Sequence, residues 1–107
     1  MNAPDPDFSS LSEVDRLVHE PARLVVMASL YVVDSADYTF LMRQAGLTWG
    51  NLSGHLSKLA EAGYIQIEKT YRGKRPYTLV RLSDNGRAVF KNYVAQMKTV
   101  FGNLDAG

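Results

Sequence analysis

Between Trp49 and Glu61 the chain reads WGNLSGHLSKLAE, with its polar residues at spacings that matter on a helix. With Leu52, Leu56 and Leu59 as the buried stripe, Gly50, Gly54, Ser57 and Glu61 point away from the core. Asn51, Ser53 and Lys58 flank that outer face, while Trp49 and His55 lie nearer the apolar edge. A face this small and polar can sink into a DNA major groove about 12 Å wide. Asn51, Ser53, Gly54 and Ser57 are then the candidates for contact with base edges. Serine and asparagine donate and accept hydrogen bonds, and glycine permits close approach. Lys58 reaches phosphate, and Thr48, just before the helix, joins it on the backbone. Each glycine costs about 1 kcal/mol in a helix interior. Two of them in an otherwise well-patterned helix point to something that must come close, rather than to inert surface.

A second cluster supports the same chemistry. Arg72, Lys74 and Arg75 occupy three of the five positions in Arg72-Gly-Lys-Arg-Pro76, between Tyr71 and Tyr77. Alone, such a tip does no more than discourage edge pairing. Beside a recognition helix, it can reach the sugar-phosphate backbone or the adjacent minor groove.

Other chemistries lack their residues. The chain has no cysteine, which excludes a disulfide scaffold, thiolate metal ligation and a cysteine nucleophile. His19 falls at a helix junction and His55 borders an apolar stripe, so both read as structural. Ser53 and His55 are two residues apart on a helix and cannot face each other. No glycine-rich loop follows a strand. An enzyme is not expected, nor is a metal or a cofactor.

The elements that must position these residues follow from pattern. Residues 1–9 read as a disordered leader. Ser10-Leu-Ser-Glu13 fits a capping box and predicts a short first helix to about His19. Pro21 opens a second helix, with Glu20 favourable at its N-terminus and Leu24, Met27, Ala28 and Tyr31 on its apolar face. Tyr38-Thr-Phe40 reads either as a very short strand or as the start of a helix. That helix, Phe40 to Ala45, closes on Gly46 in a left-handed cap. Thr48 caps the next, which runs to about Ala62. Residues 64–71 and 77–82 alternate as strands, with Ile65 and Ile67 on one buried face and Val80 and Leu82 on the other strand's. Ser83 caps a last helix, from Asp84 to about Asn103.

At 107 residues the chain is one domain, and 46% hydrophobic and 21% charged is an ordinary globular mixture. The net charge of +1 hides an asymmetry. Seven acidic and two basic residues lie in 1–37, giving −5, against four acidic and ten basic in 38–107, giving +6. That distribution suits a polyanion-binding face. No membrane span or signal peptide is legible, which implies a cytoplasmic protein.

The last helix carries more apolar width than one small domain needs. Phe90, Met97 and Leu104 recur every seven residues, with Tyr93, Val94, Val100 and Phe101 widening the stripe. It reads as a homodimer interface that would set two recognition helices about 34 Å apart. The alternative is a helix folded back wholly onto its own core. A ligand cleft near Tyr31, Tyr93 and Met97 also stays open, with no effector implied.

Three segments carry a family resemblance: HEPARL (19–24), GLTWGNLSGHLSKLAEAGYI (46–65) and KTYRGKRPYTLVRLSDNGRAVF (69–90). From His19 to about Tyr93, about 70% of the chain, the sequence resembles the small single-domain winged-helix regulators of MarR/ArsR type. The resemblance implies an α+β, mainly α fold: a winged helix-turn-helix with a two- to three-stranded wing sheet and a long C-terminal helix. It makes 10–83 the DNA-binding domain and 84–104 the dimerisation helix, with Thr48–Ala62 as recognition helix and Arg72–Pro76 as wing. Trp49 stands where a small or polar residue is expected. It either packs at the start of the helix or stacks on a sugar or methyl group. The function implied is a dimeric regulator bound to double-stranded DNA; the alternative is a winged-helix protein-interaction module.

Overall fold

Pro21 has no N–H to donate, so it begins a helix without leaving an orphan. In the computed structural model, which describes residues 8–105, Pro21–Val32 forms α1. The Glu20 carboxylate accepts from the backbone N–H groups of Ala22 (3.2 Å) and Arg23 (2.8 Å). The Arg23 N–H is the largest cause holding Glu20 below the usual carboxylate range. Val26, Met27 and Leu30 are fully buried. Around them lie Leu41 of α2 (Tyr38–Ala45), the leucines of α3 (Trp49–Glu61) and Val80 of the sheet.

The helix predicted from Ser10 to His19 does not form. Ser9–Glu13 is a 3-10 turn with no side-chain cap, and Val14 is extended. The reason is local competition for the backbone. Asp15 Oδ1 accepts from Leu17 N (2.8 Å) and Val18 N (3.2 Å), offering these amides an alternative to helix. Val14 and Val18 still bury, so the apolar spacing reports core contact without an α-helix. Phe8 and Ser9, read as leader, belong to this turn, since the Phe8 carbonyl accepts from Leu11 N. The rest of the expected leader, 1–7, lies outside the described residues.

Of the two readings at Tyr38, the start of a helix is correct. The short strand, β1, is Ala36–Asp37, and Asp37 also caps α2 by accepting from Phe40 N at 2.8 Å. The sheet is antiparallel, in the order β1-β3-β2, with β2 at Ile65–Arg72 and β3 at Arg75–Leu82. Arg72 pairs with Arg75, so the hairpin turn is only Gly73-Lys74. Gly73, at φ 66°, supplies the positive φ of a two-residue hairpin turn. Pro76 is tolerated in β3 because β1 reaches only Leu79 and Val80, leaving that edge open.

The last helix, α4, is Asp84–Asp105. Ser83 Oγ accepts from Gly86 N (2.9 Å) and donates to the Gly63 carbonyl (2.6 Å). This ties the start of α4 to the α3–β2 junction, where Asp15 accepts a hydrogen bond from the Tyr64 hydroxyl that pushes the phenol up to about 12. Phe90 and Tyr93 pack in the chain's own core: Phe90 lies against Tyr31 (centroids 5.4 Å apart), and the Tyr93 hydroxyl is 2.8 Å from His19 Nδ1. Among the described residues, no helix is long and apolar enough to cross a membrane.

A Cβ on Gly86 would sit 1.9 Å from the Tyr64 carbonyl oxygen, an immovable backbone atom. Gly86→Ala should therefore destabilise the fold by about 1–3 kcal/mol, despite alanine's better helix propensity. Chemical denaturation checks this; a variant as stable as the parent would show that α4 shifts freely.

Candidate nucleic-acid interface

Two local devices set the helix-turn-helix. Gly46 ends α2 in the left-handed conformation at φ 66°. Two residues later, Thr48 Oγ1 accepts from Asn51 N (3.2 Å) and starts α3. Leu52, Leu56 and Leu59 are wholly buried, which fixes the rotation of α3. Gly50, Asn51, Gly54, Ser57 and Lys58 are left exposed, while Ser53 is half-buried on the side facing the sheet. His55 faces the other flank. Its Nδ1 lies 3.0 Å from an Arg23 guanidinium nitrogen and 3.8 Å from Glu20. Arginine can only donate, so Nδ1 accepts, and the closer contact is the one that orients the ring. Arg23 Nε donates to the Leu17 carbonyl at 2.6 Å, linking α3 through α1 to the N-terminal segment.

The glycines are not required by the protein's own packing. A Cβ at Gly50 or Gly54 would meet no atom within 4 Å, and both backbones are helical. Any demand for their smallness comes from outside the chain.

β2 and β3 run past the helices as the wing. Arg72 is held: it lies 4.3 Å over the Tyr77 ring and donates to the Tyr77 hydroxyl at 2.8 Å. That hydroxyl in turn donates to Asp37 Oδ2 at 3.4 Å. Lys74 and Arg75 have no side-chain partner among the described residues, and neither does Lys58. Ile67, expected on the buried face with Ile65, is 38% exposed, because it lies on the edge strand β2, while its cross-strand partner Val80, on central β3, takes the core contact.

The sequence singled out Trp49 but placed it nearer the apolar edge of the helix. It is not at the edge of the core but 61% exposed, on the flank of α3 that faces the wing, with the Tyr38 ring 6.1 Å away. Only the sheet's position reveals what that flank faces. Of the apolar residues expected on an α4 interface, Phe90, Tyr93 and Val100 are buried within one chain. Val94 and Met97 are partly covered, and Phe101 and Leu104 remain 56% and 60% exposed. Of the residues around the anticipated ligand cleft, Tyr31 lines a surface hollow with Lys91, Val94 and Lys98, whereas Tyr93 belongs to the core.

A helix-turn-helix followed by a two-stranded wing defines a winged-helix protein. Residues 22–101 match the family model of the winged helix DNA-binding domain, and the chain belongs to that family. It is 29% identical over 90 residues to an uncharacterized protein of Methanocaldococcus jannaschii, covering 84% of this chain and 98% of that one. The structure of a transcriptional regulator homologue from Pyrococcus horikoshii superposes with a TM-score of 0.85 at 28% identity, covering 92% of this chain and 99% of that one. A MarR-family regulator from Enterococcus faecalis shares the fold at a TM-score of 0.71 and 20% identity, covering 99% and 98% of the two chains. The family is thus that of a DNA-binding domain, and both of these structural neighbours are named as transcriptional regulators.

The two glycines give a clean separation of stability from binding. Gly50→Ala and Gly54→Ala should each stabilise the fold, by about 0.5–1 kcal/mol. If the outer face of α3 meets DNA closely, Gly54→Ala should also weaken duplex binding. Paired denaturation and mobility-shift titrations would show it; binding at parental strength would mean nothing approaches that face.

Proposed function

We propose that this chain is a sequence-specific DNA-binding transcriptional regulator that acts as a homodimer on double-stranded DNA in the cytoplasm. The observation that carries the reading is the outer face of α3. It is exposed, small and polar, with open space over both glycines, and stands beside a wing whose Lys74 and Arg75 side chains are unpaired among the described residues. In this reading α3 enters the major groove, and Asn51, Ser53, Gly54 and Ser57 meet base edges. Thr48, Lys58, Arg72, Lys74 and Arg75 meet the backbone or the adjacent minor groove. Two solved neighbours of the same fold are bound to DNA: the repressor CouR, on a 23-mer duplex, and reduced AbfR. They support the partner class for this chain.

Residues 10–83 then form the DNA-binding unit, and α4 over 84–104 brings two of them together. Phe101 and Leu104, exposed at its C-terminal end, supply the apolar centre of the contact, and the partly covered Val94 and Met97 extend it. Phe90, Tyr93 and Val100 stiffen the helix from within its own chain.

About four phosphate contacts per subunit predict a log-affinity against log-salt slope near −7 for the dimer. Lys74→Ala with Arg75→Ala should flatten that slope and weaken all sequences alike, while Ser57→Ala should change the preferred sequence. Selection from a random duplex pool, followed by titration in graded salt, tests both. Salt-independent binding would remove the wing from the interface, and failure to enrich any sequence would favour a protein-interaction module.

Phe101→Glu with Leu104→Glu should give folded monomers, since neither side chain belongs to the core. Light scattering reads the mass directly, and an unchanged dimer would move the interface elsewhere.

A further inference from the structure

The flank of α3 that carries Trp49 and Ser53 faces the wing across an open cleft of 440 Å³. Tyr38 lies behind Trp49, and Ile67, Lys69 and Thr78 form the opposite wall. The wall is regular: Ile67 and Lys69 lie on one face of β2, with Thr78 cross-strand from Lys69. We propose that this cleft seats the single sugar-phosphate strand that separates the two grooves, with Trp49 against deoxyribose and Lys69 on phosphate. The proposal rests on the DNA-binding reading above and adds two contact residues to it.

Four observations carry it. First, geometry: if α3 lies in a major groove and the wing tip meets the neighbouring minor groove, one backbone strand must pass between them. The cleft is the space between those two elements. Second, Trp49 is unfinished as a core residue. One side of the indole has Tyr38 at 6.1 Å, the other is open, and its N–H has no partner among the described residues. A tryptophan with one open apolar face and one free donor matches a sugar with a phosphate beside it. Third, the charge is right. The Lys69 ammonium is unpaired among the described residues, whereas Glu68, its neighbour on the opposite face, is paired with Arg81 at 3.2 Å. The acidic group at the cleft, Asp37, already accepts from Phe40 N and the Tyr77 hydroxyl. Fourth, the cleft is continuous with the recognition face through Ser53, which borders both.

Trp49 points to the flank and not outward, so its contact is with backbone and carries no sequence preference. Trp49→Ala should weaken binding about tenfold, by a similar factor on the selected duplex and on an unrelated one of the same length. Trp49→Phe should retain most of the affinity. Lys69→Ala should reduce the salt slope by about 0.9 per subunit, close to 2 for the dimer, whereas Trp49→Ala should leave the slope unchanged. Trp49 is the only tryptophan in the chain, so its emission reports on the cleft directly. Saturating parent protein with a duplex of about 30 base pairs should shift or quench that emission, and Lys74→Ala with Arg75→Ala should still show the change once saturated. Both variants should melt close to the parent, since Trp49 and Lys69 are largely exposed. Emission unmoved at saturation, or both alanine variants binding like the parent, would overturn the assignment. Loss at Trp49 confined to particular sequences would replace the backbone contact with a base contact and overturn it too. If the parent binds no duplex, the DNA reading itself falls; if the parent binds and the cleft variants are silent, only this inference does.

Discussion

Leu52, Leu56 and Leu59 share one stripe of α3, and none keeps any solvent exposure. A helix anchored this way has one rotational setting, because turning it would expose three leucines at about 1.5–3 kcal/mol each. Everything functional in the molecule is defined against that setting. It puts Gly50, Gly54 and Ser57 outward, Trp49 and Ser53 toward the wing, and His55 toward α1. The leucines are held in turn by α1, whose Val26, Met27 and Leu30 are fully buried in the same core.

The polar contacts at the rim do a different job from the core. Asp15 reaches its own downstream amides and the Tyr64 hydroxyl, Arg23 joins the Leu17 carbonyl to His55, and His19 meets Tyr93. Each links the segment before α1, or α1 itself, to a different later element. A hydrogen bond of this kind adds only about 1 kcal/mol net, but a buried partner left alone loses more. The network therefore fixes orientation more than it adds stability. On the opposite side, Arg72, Tyr77 and Asp37 run from the wing to the cap of α2, so wing and helix-turn-helix share one frame.

Much of this was legible because it depends on residues near each other in sequence. Gly46 and Thr48 mark the turn by backbone conformation and side-chain capping, both local effects. The alternation of 64–71 and 77–82 gave the wing, and Pro21 gave the start of α1. The misreading at Ser10–His19 has an equally local cause: Asp15 competes for the amides a helix would need, and a capping-box pattern does not reveal that outcome. Ile67 failed for a non-local reason. Alternation predicts which side of a strand a residue occupies, not whether that strand lies at the centre or the edge of its sheet, and Ile67 is on the edge strand beside the buried Val80.

The sequence by itself determined the fold class, the order of elements from Pro21 onward, the small polar face of one helix and the basic wing tip, since spacing and residue type settle these within a few turns of chain. Only the tertiary structure decided how the helix faces are used. It gave Phe90, Tyr93 and Val100 to their own chain while leaving Phe101 and Leu104 exposed, because cover for a helix comes from elements distant in sequence. It also set Trp49 and Lys69 across one cleft, twenty positions apart along the chain, since the sheet's pairing and the helix's rotation jointly fix what each side chain faces.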